Sequence, residues 1–136
     1  MAGIVVDTGP LIALFDGSDH HHADALAFLQ RVEGTLVTNL AVVTETTVML
    51  GPSVEAQTAF LSWASRALEI DNQTALDLAR IVELMTKYRD LPADFADASL
   101  VALCERLSTE RIATLDRDFE VYRTAKRKRL RNVFFG

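Results

Sequence analysis

Short solid apolar runs alternate along this chain with longer stretches in which apolar residues recur at helical spacing. Ile4-Val5-Val6 is a continuous β-branched run, the pattern of a central parallel strand covered on both faces. Asp7 stands at its carboxyl end. Thr8-Gly9-Pro10 then offers a cap candidate, a flexible residue and a proline suited to the first turn of a helix reaching Leu14. Residues 16–19 read as a turn, and an apolar-rich helix runs from the His20-His21-His22 triplet to about Glu33, closed by Gly34. Residues 35–38 make a second strand. Asn39 can cap a helix over 40–50 that Gly51-Pro52 ends, and Ser53 can cap another reaching Arg66. Residues 67–70 form a third strand, and Asn72 caps a helix over 73–89. Asp90-Leu91-Pro92 breaks that helix, a new one starts across 93–103, and strands follow at 110–115 and 132–135. The alternation and the short connections predict an α/β fold: a three-layer α/β/α sandwich with a mostly parallel sheet of about five strands, as one domain over 1–136.

Composition adds little to that architecture but bounds the setting. With 136 residues, 49% hydrophobic and 24% charged, the chain can bury a core without disulfides or structural metal. Its single cysteine, Cys104, lies in an apolar helical pattern, which suggests packing in a reducing compartment. No apolar run is long enough to cross a bilayer and no basic-then-apolar leader is present, so a cytoplasmic protein with no membrane partner is expected.

Charge changes the picture more. The formal net charge is −5, yet residues 1–122 carry eight basic residues against 19 acids, for −11, while residues 123–136 carry +6. Arg123, Lys126, Arg127, Lys128, Arg129 and Arg131 crowd the end. An acidic body with a basic end fits clustered carboxylates that hold metal beside a patch that meets phosphate. Lys126, Arg127, Lys128 and Arg129 are therefore candidate nucleic-acid contacts. The plainer reading is a solvated loop guarding an edge strand.

Four acids stand out by position. Asp7 and Asp116 end strands, at the sheet edge where ligands of open α/β folds bind. Asp7 could simply cap the helix that follows it. Glu45 is the only charge in a helix of Ala41, Val42, Val43, Val48 and Met49, which implies a largely buried helix and a carboxylate that is costly there unless something positive meets it. Asp94 and Asp97 share one face at a helix start. Helix termini favour anions, which is sufficient reason for Asp94. Asp97 is flanked by the small residues Ala96, Ala98 and Ser99, as though something must approach closely. The three histidines point in different directions and lack a fourth ligand, so they read as an exposed helix entry rather than a zinc site. Gathered at one edge, Asp7, Glu45, Asp97 and Asp116 would repel one another and stay ionised only around cations. All-oxygen ligation selects Mg²⁺ or Mn²⁺.

Asp7-Thr8-Gly9-Pro10-Leu11, Glu45 in the third helix, residues 91–98 and Thr114-Leu115-Asp116-Arg117-Asp118-Phe119 resemble, in order, the spaced acidic motifs of the PIN domain family, and within it the VapC ribonuclease toxins of bacterial toxin-antitoxin pairs. The resemblance covers essentially the whole chain. It implies a Mg²⁺- or Mn²⁺-dependent endoribonuclease with Asp7, Glu45, Asp97 and Asp116 as the metal-binding catalytic quartet. Asp118 and Asp94 would be accessory acids, and Thr8 and Thr114 would orient a carboxylate or a water. It also implies an RNA substrate, a homodimer and a cognate antitoxin whose carboxyl-terminal segment fills the groove.

Two other readings remain. A phospho-receiver is also α/β with acids at strand ends, here Asp7 and Asp71, but it wants a second acid beside the first and a lysine after its last strand. This chain has a single Asp7 and ends in Phe134-Phe135-Gly136. A nuclease fold that only binds a partner would not need all four acids.

Overall fold

The computed structural model describes residues 3–136. Five strands, β1 (Ile4–Val6), β2 (Leu36–Asn39), β3 (Glu69–Asp71), β4 (Arg111–Ala113) and β5 (Arg131–Asn132), lie in the order β3-β2-β1-β4-β5, and every pairing is parallel. The central position of β1 matches its run of apolar residues. Ile4, Val5 and Val6 are each 2% exposed or less.

Among the described residues six α-helices connect the strands: α1 (Thr8–Phe15), α2 (His22–Arg31), α3 (Leu40–Leu50), α4 (Val54–Ala67), α5 (Leu78–Lys87) and α6 (Phe95–Leu107). The chain steps outward from β1 to β2 to β3, then returns across the sheet to β4. Right-handed crossovers that move in opposite directions fall on opposite faces. Accordingly α1 packs on α2 and α3, and α3 on α4, while α5 pairs with α6. The reversal of direction opens a crevice between the carboxyl ends of β1 and β4. This order also differs from the 2-1-3-4-5 of flavodoxin-like receiver folds, which removes the fold support for a phospho-receiver.

Asn39 and Ser53 cap α3 and α4 as their positions predict, accepting from Val42 N–H at 3.1 Å and Ala56 N–H at 3.1 Å. Cys104 is fully buried in α6, which pushes its thiol up to about 12. Other expectations need correction. Asp7, not Thr8, is the cap of α1. The helix expected over 73–89 is instead a 3₁₀ turn at Thr74–Asp77 followed by α5, and Asn72 does not cap it. An arginine far along the chain supplies the reason. Arg106 of α6 clamps Asp71 (2.9 and 2.7 Å) and Asp77 (3.0 Å) together, and Asp71 also accepts from Gln73 N–H at 3.1 Å. That pins the segment in a tighter turn than an α-helix allows. The last strand stops at Asn132 because the Asn132 side chain itself bonds the Thr114 backbone, donating at 3.0 Å and accepting at 3.2 Å. His21 and His22 are half-buried rather than exposed, and they meet Asp24 at 2.9 Å and the Ala13 carbonyl at 2.7 Å.

Arg106→Ala should lower stability by about 2–4 kcal/mol. It leaves two partly buried carboxylates facing each other, and the cost is discounted from the fully buried case because all three groups keep some water contact. Urea midpoints of variant and parent test this, and an unchanged midpoint would show that the clamp contributes nothing net.

Candidate active site

Each acid is fixed by the backbone element it terminates. Asp7 leaves β1 in an extended conformation and its Oδ1 accepts from Thr8 N–H at 2.8 Å, which starts α1. Its Oδ2 accepts from the Thr114 hydroxyl at 2.8 Å. Thr114 follows β4 immediately, and its Oγ1 accepts in turn from Asp116 N–H at 2.9 Å. One hydroxyl thus ties together the two strand ends that flank the crevice. Asp116 then caps a 3₁₀ turn over Arg117–Glu120 by accepting from Asp118 N–H at 2.9 Å.

Glu45 enters from α3. Its Oε1 accepts from the Thr8 hydroxyl at 2.6 Å, so a threonine rather than a positive group meets it. The expectation of a largely buried α3 is corrected as well: Leu40, Val48 and Met49 are exposed, and Glu45 is half-buried. Asp97 sits in the first turn of α6. Asp94 caps that helix, accepting from Asp97 N–H at 2.8 Å while Asp97 Oδ2 accepts from Asp94 N–H at 3.3 Å, a capping box. The start of α6 is held near α3 by buried Asn39, which donates to Ser99 at 2.9 Å. Small Ala96, Ala98 and Ser99 are buried there, so the close approach the sequence implied is made by protein.

The acids influence one another. Burial pushes Asp7 up to about 6 against the relief of its Thr114 and Thr8 hydrogen bonds, and the charges of Asp116 and Glu45 push the same way. Burial and the neighbouring Asp94 push Asp97 up to about 8, with Asp7 and Asp116 adding to it. Asp7, Glu45, Asp97 and Asp116 therefore share one electrostatic neighbourhood, with exposed Asp94 beside Asp97 and Asp118 tied to Asp116 through its backbone N–H. Among the described residues no group of three His, Cys, Asp or Glu is gathered tightly enough to hold a metal ion as it stands. The donor chemistry nevertheless fits a hard cation: the groups are carboxylates and hydroxyls throughout, and their repulsion is what a cation relieves.

Sequence reasoning passed over Tyr122. Its ring packs edge-on between Tyr88 and Phe119, with centroids 5.1 and 4.9 Å away. Its hydroxyl is buried without a hydrogen-bond partner, and burial together with the charges of Asp97, Asp118, Asp116 and Asp94 holds it well above its ordinary range. No local pattern marks it, since only folding brings residue 122 beside residue 97.

Most of the basic tail lies elsewhere, although Arg131 also lines a pocket with Thr114 and Asp116. Lys126, Lys128 and Arg129 line a separate cavity with Arg111 and Arg131, while Arg127 is not in its wall.

A parallel α/β sheet with acids gathered at the switch between β1 and β4 defines a class, and the chain belongs to it: this is a member of the PIN domain family, whose model matches residues 4–125. It is 32% identical over 117 residues to the ribonuclease VapC26 of Mycobacterium tuberculosis (strain ATCC 25618 / H37Rv), covering 84% of this chain and 87% of that one. The crystal structure of Mycobacterium tuberculosis VapC20, a sarcin-ricin loop cleaving toxin, superposes with a TM-score of 0.80 at 22% identity, over 88% of this chain and 94% of that one. The resemblance to VapC-type proteins drawn from the acidic motifs is borne out. No described helix is long and apolar enough to cross a membrane.

Proposed function

We propose that the protein is a Mg²⁺- or Mn²⁺-dependent endoribonuclease and the toxin of a cytoplasmic toxin-antitoxin pair. The observation that carries this reading is the convergence of Asp7, Glu45, Asp97 and Asp116 from four elements, with two carboxyls displaced upward by burial and mutual charge. Asp7, Glu45, Asp97 and Asp116 would hold the ion, which supplies charge to a phosphoryl oxygen and acidity to an attacking water. Thr114 and Thr8 N–H lock the Asp7 carboxylate in one orientation, and the Thr8 hydroxyl aims Glu45. A single hydrogen bond each holds the Glu45 and Asp97 side chains, so both can turn toward a cation without a large loss. Burial and the neighbouring Asp94 make Asp97 hold a proton more readily than a free carboxyl does, and cation binding would compete with that proton. Asp94 and Asp118 act as accessory acids that shape this neighbourhood.

A likeness to VapC26, named a ribonuclease, supports RNA as substrate, and kinship with VapC toxins supports a cognate antitoxin; a homodimer is the assembly this reading adds. The exposed apolar face of α3 beside Glu45 is consistent with coverage by such a partner. Incubation with total RNA and Mg²⁺, followed by end-mapping, tests the activity. Fragments with 3′-hydroxyl and 5′-phosphate ends, lost on chelation, are the expected result; intact RNA in saturating Mg²⁺ and Mn²⁺ would overturn the reading.

A further inference from the structure

Lys126, Lys128 and Arg129 line a cavity apart from the acid cluster, while Arg131 lines both that cavity and a pocket with Thr114 and Asp116. Arg111 opens β4, whereas Thr114 and Asp116 follow its far end. Glu105, which lines the same cavity, lies eight residues beyond Asp97 on α6, a separation of about 12 Å along a helix axis. The cavity, about 580 Å³, therefore lies toward the amino edge of the sheet, with the acids at the carboxyl edge. Its outer wall is built rather than loose. Arg123 and Arg129 pair as an antiparallel bridge, Thr124 N–H donates to the Lys128 carbonyl at 3.0 Å, and Ala125 N–H donates to Glu105 at 2.7 Å, which fastens the loop to α6.

The charges in this wall are unevenly matched. Glu105 is taken by Arg80 at 2.8 Å, and Glu110 lies 3.5 Å from Lys128. Among the described residues Lys126, Arg129 and Arg131 have no acid within ion-pairing distance, and all three are exposed. Three uncompensated cations around one concavity, on a protein whose first 122 residues carry −11, form an anion site by electrostatic focusing. Arginine's planar fork suits phosphate oxygens in particular.

We propose that this cavity is a second phosphate-binding site, which grips the backbone of the RNA substrate outside the segment that reaches the acids. The proposal rests on the ribonuclease reading and deepens it: RNA would be held at two separated places, and a short oligonucleotide could not occupy both. An acidic region cannot attract a polyanion by itself, so the distant grip supplies the encounter and the acids supply the chemistry.

The test uses oligo(U) of two lengths, one short enough to span only the acids and one several times longer, titrated over a range of salt on an Asp7→Asn background. Replacing Lys126, Arg129 and Arg131 together with alanine should make the salt slope for the long RNA shallower by about 2, at roughly 0.7 per lost phosphate contact on a single strand. The slope for the short RNA should move by no more than the one contact Arg131 can offer on the acid side, about 0.7. Arg129→Gln alone should shift the long-RNA slope by about 0.7, and Arg127→Ala, outside the wall, should shift neither. In the active protein the triple variant should raise KM for long RNA with kcat kept. If the triple variant keeps the parental slope while the parent still cleaves RNA, the cavity is not an RNA site and the ribonuclease reading stands. If Arg127→Ala shifts the slope as much as Arg129→Gln, the segment acts through overall charge and the proposal fails. An acidic protein partner that binds the parent but not the triple variant, with RNA slopes unchanged, would also overturn it. If the parent neither binds oligo(U) nor cleaves any RNA, both readings fall.

Discussion

Asp7→Asn should lower RNA cleavage at least about a thousandfold while leaving the protein folded and as stable as the parent or more so. The loss follows from position, because Asp7 is the most buried of the four acids and the one gripped from both strand ends. An interaction worth several kcal/mol in the transition state, at 1.36 kcal/mol per tenfold, accounts for the factor. The stability follows from burial. At neutral pH the native state keeps the Asp7 carboxylate charged with its carboxyl pushed up from 3.8 to about 6, a penalty of about 3 kcal/mol at 1.36 per unit. Asparagine removes that charge but cannot accept from the Thr114 hydroxyl in the same way, so the net gain lies between zero and about 3 kcal/mol. Cleavage assays and urea melts on the same preparation decide the matter. Parental cleavage in the variant would show the quartet to be misassigned, and a collapse in stability would show that Asp7 is chiefly a helix cap.

Mn²⁺ or Mg²⁺ at a hundredfold excess over its dissociation constant should raise the melting temperature by roughly 10 °C, since such binding is worth about 2.7 kcal/mol and a domain of this size gains a few degrees per kcal/mol. The rise should vanish in Asp7→Asn. It should also depend on pH with a definite sign. In the metal-free protein Asp7 and Asp97 have folded-state values raised from 3.8 to about 6 and about 8. Between those limits the native state binds more protons than the unfolded chain. The stability these two groups contribute is therefore fully present below about pH 3.8, and it is lost as pH rises through 6 for Asp7 and 8 for Asp97. Protons and cations compete for the same oxygens, so the cation-induced rise should be small below pH 6 and largest near pH 8. Thermal scans across that range, with and without chelator, provide the readout. A melting temperature indifferent to saturating Mn²⁺ at pH 8 would rule out a carboxylate metal site.

The architecture and the identity of the acids worth testing are legible in the chain alone. A β-branched run such as Ile4-Val5-Val6 has one comfortable environment, the middle of a sheet covered on both faces, and Asn39 and Ser53 announce helices because their side chains satisfy backbone donors within three residues. These are local requirements and are written locally. Folding supplied whatever depends on residues distant in the chain. The 3₁₀ turn at Thr74–Asp77 is set by Arg106, some thirty residues away, and the end of β5 by the Asn132 side chain on Thr114. The exposed face of α3 could not be read from its composition, because apolar spacing says which residues could be buried and not whether the protein has anything to cover them. Thr114 bonding Asp7 and Thr8 bonding Glu45 are pairings across the crevice that no spacing encodes, nor does any spacing encode that Tyr122 feels the charge of Asp97. The basic residues show the division most clearly: their clustering is visible in the chain, but only the fold sends Arg111 and Arg131 to join Lys126 and Arg129, leaves Arg127 outside, and sets the cavity they share toward the opposite edge of the sheet from the acids, with Arg131 alone also lining a pocket beside Asp116, because parallel strands place everything before them at one edge and everything after them at the other.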